Sequence, residues 1–226
     1  MSLQDLPPEL TERIVVLLRL SDICSLRLTS RSLAIKTFQR RLKTSFRKKR
    51  VDITEEGLRS FVAITGSSGD LGCLLQDLTL VEPVYNSLTL TTDLEMEAKL
   101  VAEFTSHSGY KIHRHELSEE QLRQTRLDLA VLKERRAEQI DFRRRRKDVE
   151  LLRRAFSNLD AYGASLRVLR SEVAIYIDAT ITPRLPIFGR DEKQIWDSAS
   201  HVSRTLFASL ADCDLPIQSL NLFNTS

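Results

Sequence analysis

The stretch that decides the fold opens the chain: Leu3-Gln4-Asp5-Leu6-Pro7-Pro8-Glu9-Leu10, then Ile14, Leu17 and Leu18, then Ser21-Asp22-Ile23, Leu26 and Thr29-Ser30-Arg31-Ser32-Leu33. Pro7-Pro8 suits a first helical turn, where a missing backbone N–H leaves no bond unmade. Leu10, Ile14, Leu17 and Leu18 recur at i, i+4, i+7 and i+8, one apolar stripe of a helix. Ser21-Asp22 is a natural cap for a second short helix with Ile23 and Leu26 turned inward. After a turn at Thr29-Ser30-Arg31-Ser32, a third helix carries Ala34, Phe38, Leu42 and Phe46. Residues 1–46 therefore read as three short helices. About 45 residues bury too little apolar surface to be robust alone, and the leucines and isoleucines left uncovered form a patch of the kind that marks a partner site.

Working outward, the texture changes after residue 49. Arg50-Val51-Asp52-Ile53 reads as a short strand, and Thr54 caps a helix through Leu58, Phe61, Val62 and Ile64 that Gly66 stops. Leu74-Leu75-Gln76-Asp77-Leu78-Thr79-Leu80 reads as a second strand. Residues 81–116 give no clear pattern. Ser118-Glu119-Glu120-Gln121 is a capping box opening a long charged helix that reaches toward Leu159. Gly163 breaks it, and Leu166 to Ile177 reads as a long strand. Pro183, Pro186 and Gly189 mark residues 178–190 as a loop before a helix from Asp191 to Leu210 with Ile195, Val202, Leu206 and Leu210 on one side. Leu215 to Phe223 closes the chain as a strand with no covering helix after it, so this region is expected to be incomplete at its carboxyl end. The expected fold class is α+β: a three-helix module at 1–46, then an irregular αβ solenoid at 47–226 with a long charged helix, its strands carrying Leu-x-Leu at Leu78-Thr79-Leu80 and Leu220-Asn221-Leu222.

The order and spacing of Leu3, Leu6, Pro7, Glu9, Leu10, Ile14, Leu17, Leu18, Ser21, Asp22, Ile23, Leu26, Thr29, Ser30, Arg31 and Leu33 resemble the F-box family. Leu33 departs from the pattern, since many members carry Trp there. The resemblance implies that the module docks a Skp-type adaptor and, through it, a cullin of a ubiquitin ligase. Carried over residue by residue, it implies adaptor contacts at Leu6, Pro7, Leu10, Ile14, Asp22, Ile23 and Leu26. Leu6 and Pro7 would enter the adaptor's groove, Leu10, Ile14 and Leu26 would serve both core and contact, and Asp22 would chiefly cap the second helix. The remainder is similar to the irregular leucine-rich regions of fungal F-box proteins, which implies a non-catalytic receptor that holds an unidentified protein target there.

Bulk properties fit that expectation and narrow the alternatives. Hydrophobic residues make up 42% and charged residues 29%, an ordinary globular balance, and the formal charge of +3 rules out a chain that coats nucleic acid by bulk charge. Cys24, Cys73 and Cys213 are scattered, which points to reduced thiols in the cytosol or nucleus rather than a disulfide or zinc framework. The first residues lack a basic segment followed by an apolar run, so no signal peptide is expected, and no membrane partner is expected either. Between Lys133 and Arg154 there are ten basic and five acidic residues. A nucleic-acid or nuclear scaffold role for helix 133–154 is the alternative function; a solvated, self-compensated helix face explains the run more simply. His107, His113, His115 and Glu116 cluster in sequence without a Cys near them, and no metal or other cofactor is expected. No catalytic motif is present: Gly66-Ser67-Ser68-Gly69 lacks the lysine of a phosphate loop.

Overall fold

A computed structural model describes residues 3–37, 44, 46–66, 74–105, 109–179 and 192–222. Leu3–Asp5 forms a 3-10 turn, followed by α1 (Pro8–Leu17), α2 (Leu20–Thr29) and α3 (Arg31–Lys36). The chain then runs β1 (Lys48–Asp52), α4 (Glu55–Gly66), β2 (Asp77–Tyr85), α5 (Leu88–Met96), β3 (Ala98–Thr105), β4 (Gly109–Glu116), α6 (Glu119–Arg144), α7 (Lys147–Ala161), β5 (Leu166–Tyr176), α8 (Glu192–Leu210) and β6 (Ile217–Leu222). The α+β expectation holds.

Strands β1, β2, β5 and β6 form one sheet in that order, and every pairing is parallel. Parallel neighbours need crossovers, and α4, α7 and α8 provide them. α4 packs on α7 and α7 on α8. The core lies between these helices and the sheet: Leu58 and Phe61 from α4, Leu152, Phe156 and Leu159 from α7, and Val202 and Leu206 from α8 meet Val51, Leu78, Leu80 and Leu169. The sheet strands begin at residues 48, 77, 166 and 217, so successive units differ widely in length. The longest interval holds α5, the antiparallel β3–β4 hairpin and α6.

Several expectations need correction. β2 starts at Asp77 and runs to Tyr85, beyond the expected end at Leu80. Its interior reads Val81-Glu82-Pro83, where a buried charge and a proline disguise a strand; Asp77–Tyr85 is buried along most of its length on both sides, which erases alternation. The long charged helix is two helices. It breaks at Arg146, which takes the left-handed conformation (φ 55°), and the break lets α7 turn Leu151, Leu152, Ala155, Phe156 and Leu159 onto the core. The carboxyl end of α7 follows the expected logic: Gly163 (φ 66°) caps it, and the Ala164 N–H donates to the Leu159 carbonyl at 2.9 Å. The expected loop at 178–190 falls almost wholly outside the described residues, as do Phe38, Leu42, Cys73 and His107. No helix among the described residues is long and apolar enough to cross a membrane.

Candidate adaptor-binding site

The amino-terminal helices are held by a few polar ties around a very small core. Pro7 precedes α1 in extended conformation (ψ 149°), and its carbonyl accepts the Thr11 hydroxyl at 3.1 Å. Asp22 sits at the third position of α2, one turn later than a capping residue would, and its carboxylate accepts the Arg19 N–H at 3.3 Å. It thus does the capping expected of it, from inside a helix that begins at Leu20 rather than after Ser21-Asp22. Ser30 caps α3 by accepting the Leu33 N–H at 3.1 Å, so the third helix starts inside the stretch expected to be a turn. The Lys36 ammonium donates to the carbonyls of Gln4 (2.6 Å) and Leu6 (2.8 Å), pinning the segment before α1 against the end of α3.

The interior consists of Val15 and Ile23, with Leu18 and Phe46 packed beside them, and Leu33 is buried nearby. The stripe expected to face inward from α1 is therefore displaced: Thr11 and Val15 are the buried positions, while Leu17 is 85% exposed. Of the seven carried-over residues, Pro7, Leu10 and Asp22 are exposed, Leu6, Ile14 and Leu26 are half-buried, and Ile23 is fully buried. Ile23 thus contributes through packing rather than by exposure. Sequence reading missed Leu28 (89% exposed) and Ile35 (75% exposed). An apolar stripe marks a helix face but not which face finds a partner within the same chain. With Val16 also exposed, this module shows more apolar surface than its own core can use, the kind of surface that marks interaction sites.

The class is fixed by comparison with known families: a model of the F-box domain matches residues 3–37. The chain carries an F-box domain at residues 3–37. That domain indicates binding of a Skp-type adaptor and thereby association with a cullin, and F-box proteins are in general non-catalytic adaptors. No curated protein and no solved structure matches the chain.

Beyond the F-box, two features of the sheet region have site-like character. At the carboxyl ends of β1 and β2, a cleft of about 820 Å³ is lined by Thr54, Arg59, Tyr85, Arg135, Gln139 and Arg145 among others. Ligands of open parallel sheets commonly bind at such strand ends, but the lining also carries Glu55, Glu56, Glu138 and Asp141, leaving no dominant charge. The second feature is polar and spans the strands. Arg50 on β1 pairs with Glu172 on β5, and Arg167 grips Asp77 at 3.0 and 2.6 Å. The hydrogen bond from Arg167 holds the Asp77 carboxyl below the usual carboxylate range. The Tyr85 and Tyr176 rings lie 5.5 Å apart, and burial pushes the Tyr85 hydroxyl up to about 12.

The basic run is largely neutralised where it stands. Arg143 pairs with Glu82, Arg144 and Arg145 with Asp141, and Lys147 with Glu150. α6 is also anchored, not merely solvated: Leu132, Gln139 and Phe142 are buried.

Proposed function

We propose that this chain is the substrate-receptor subunit of a Skp–cullin–F-box ubiquitin ligase. The F-box binds the adaptor through Leu6, Pro7, Leu10, Ile14, Asp22, Ile23 and Leu26, with Leu17, Leu28 and Ile35 widening the contact. Residues 47–226 act as a leucine-rich-repeat-like receptor that holds a protein target, and catalysis belongs to other subunits of the complex, in the cytosol or nucleus. The observation that carries this reading is the matched F-box whose exposed leucines and isoleucine lie beyond the reach of its own core. The Arg50–Glu172 and Asp77–Arg167 pairs, with the Tyr85–Tyr176 pair at the other end of β2, support the target side: charged groups fixed on rigid strands give geometric specificity to a partner. The internal pairing of Arg143 to Arg145 weighs against a nucleic-acid scaffold.

The test is affinity capture of the full chain from cell extract. Recovery of a Skp-type adaptor with a cullin, lost on changing Leu6 and Pro7 together to Ala, supports the reading. Capture of nucleic acid with steep salt dependence and no adaptor contradicts it.

A further inference from the structure

Successive side chains of a strand point to opposite faces of its sheet. Val51, Leu78, Leu80 and Leu169 join the core under the helices, so their neighbours Arg50, Thr79 and Arg170 point to the other face. The register sets these three in one row, Arg50 beside Thr79 and Thr79 beside Arg170, and continues it to Asn221 on β6. All four strands thus contribute a hydrogen-bonding side chain to one line across the sheet. Arg50 and Arg170 are exposed, and Thr79 and Asn221 are half-buried.

The other cations near this row are already engaged. Arg167 holds Asp77, and Lys48 stands 4.0 Å from the same carboxylate. Arg50 reaches from β1 across β2 to Glu172 on β5. Arg170 has no hydrogen bond or ion pair among the described residues and acts on Asp77 only at a distance. Its guanidinium is therefore an exposed, unused fork on a rigid strand. Six positions further along β5 stands Tyr176, in register with Tyr85, the two rings 5.5 Å apart. At about 3.3 Å per residue the tyrosines lie roughly 20 Å from Arg170 along the strand. Asp52 and Glu172 occupy the level between, both in line with Val81. Along β5 this face presents a free cation, then anions, then aromatic rings.

We propose that this face binds an acidic segment of the target protein, with one carboxylate on the Arg170 fork and an apolar side chain about six residues away on the Tyr85–Tyr176 pair. This rests on the receptor reading above, to which it adds the chemistry of the target segment. Three observations select the occupant. A planar guanidinium matches a carboxylate with two parallel hydrogen bonds. A phosphate dianion is best met by an arginine cluster, whereas Arg50 and Arg167 are taken by Glu172 and Asp77. A nucleic-acid strand, charged at every nucleotide, would have to pass Asp52 and Glu172, while a peptide can be acidic at Arg170 and neutral beyond it. The half-buried tyrosine rings then offer an apolar body with a polar tip.

Fluorescence anisotropy of the full chain with a labelled peptide tests this. The peptide carries two glutamates, a neutral spacer of alanine and serine, and a phenylalanine six positions after the second glutamate. Saturable binding is expected, weakened roughly tenfold or more by Arg170→Gln, as loss of a hydrogen-bonded charge does. Arg170→Lys should weaken it less, since the charge stays and the fork goes, and Arg154→Gln, on the exposed side of α7, should leave it unchanged. Tyr176→Ala should weaken this peptide but not one with alanine in place of phenylalanine. Thermal unfolding checks that each variant folds. No binding at millimolar peptide, equal binding of a glutamine-for-glutamate peptide, or affinity untouched by Arg170→Gln overturns the proposal. So does a phosphoserine-for-glutamate peptide or a single-stranded oligonucleotide that binds tenfold more tightly. Adaptor binding is measured on the same chain. Peptide binding through Arg170 without adaptor binding keeps this site and removes the receptor reading; adaptor binding without peptide binding removes the site alone.

Discussion

Glu82 sits in the middle of β2 with no solvent exposure, and its environment governs how stability depends on pH. Gln139 donates to Glu82 Oε1 at 3.0 Å and Arg143 pairs with the same oxygen, while Oε2 has no hydrogen-bond partner among the described residues. Burial pushes this carboxyl above its ordinary value of 4.5, and Arg143 only partly offsets the push. A carboxyl raised on folding contributes stability that is full below the unfolded value and lost as pH climbs toward the folded one. Glu82→Gln should therefore gain on the wild type steadily as pH rises from about 4.5, in urea titrations at several pH values; a constant difference would remove this account of Glu82. Asp148 behaves oppositely. Burial opposes its charge, but hydrogen bonds from His201 (2.9 Å) and Thr205 (3.0 Å), with one from the Val149 N–H, hold it below 3.8. Its contribution is present above that value and fades as pH falls through the lowered one. Asp148→Ala should cost about 2–3 kcal/mol at neutral pH, the range for hydrogen bonds to a charged group, and less in acid. A third position is steric. A Cβ on Gly57 would run into the Asp52 carbonyl oxygen where α4 folds back on β1, so Gly57→Ala should destabilise by about 1–3 kcal/mol in the same assay.

Elements were legible where local chemistry and tertiary demand agree. Thr54 caps α4 through the Gly57 N–H (3.1 Å), and Ser118 and Gln121 form the capping box of α6 (3.3 and 2.9 Å), both visible as residue types in order. α8 and β5 match their apolar patterns within a residue or two. The break between α6 and α7 was not legible, because Arg143-Arg144-Arg145-Arg146 contains no Gly or Pro and a left-handed arginine leaves no sequence mark. Its cause is tertiary: Phe142 before the break and Asp148 after it are both buried, so each helix seats its own side chains inside. A left-handed non-glycine residue costs roughly 1 kcal/mol, so Arg146→Gly should raise stability by up to about 1 kcal/mol; a clear loss on thermal unfolding would mean that the Arg146 side chain matters more than its backbone. In the F-box, the residue pattern identified the module, but its exposed face was legible only in part. The helix period fixes which residues share a side, whereas Leu17, Leu28 and Ile35 are exposed because only Val15, Ile23 and their neighbours fit the small core.

At the scale of the whole molecule, two surfaces of unlike chemistry sit on one chain. The F-box offers apolar side chains on short helices, and the sheet offers fixed charges and aromatics on strands. Such a division suits a linker that joins a constant partner to a variable one. The sheet carries its own large core, from Val51 to Leu215, whereas the F-box cluster among the described residues is built on Val15 and Ile23, with Leu33 also buried. Damage to the adaptor-binding face should accordingly leave the sheet region folded. Most of this division was legible early, because the F-box pattern is dense; the sheet order was not, since β3 and β4 pair outside the sheet and hide the unit boundaries. The most direct test of the central claim is a calorimetric titration of the purified full chain with a purified Skp-type adaptor. The expected result is one-to-one binding, weakened at least about a hundredfold, or ~2.7 kcal/mol, by Leu6→Ala/Pro7→Ala with the thermal unfolding of the sheet region unchanged. Absence of binding, or equal affinity in the double variant, would contradict the account.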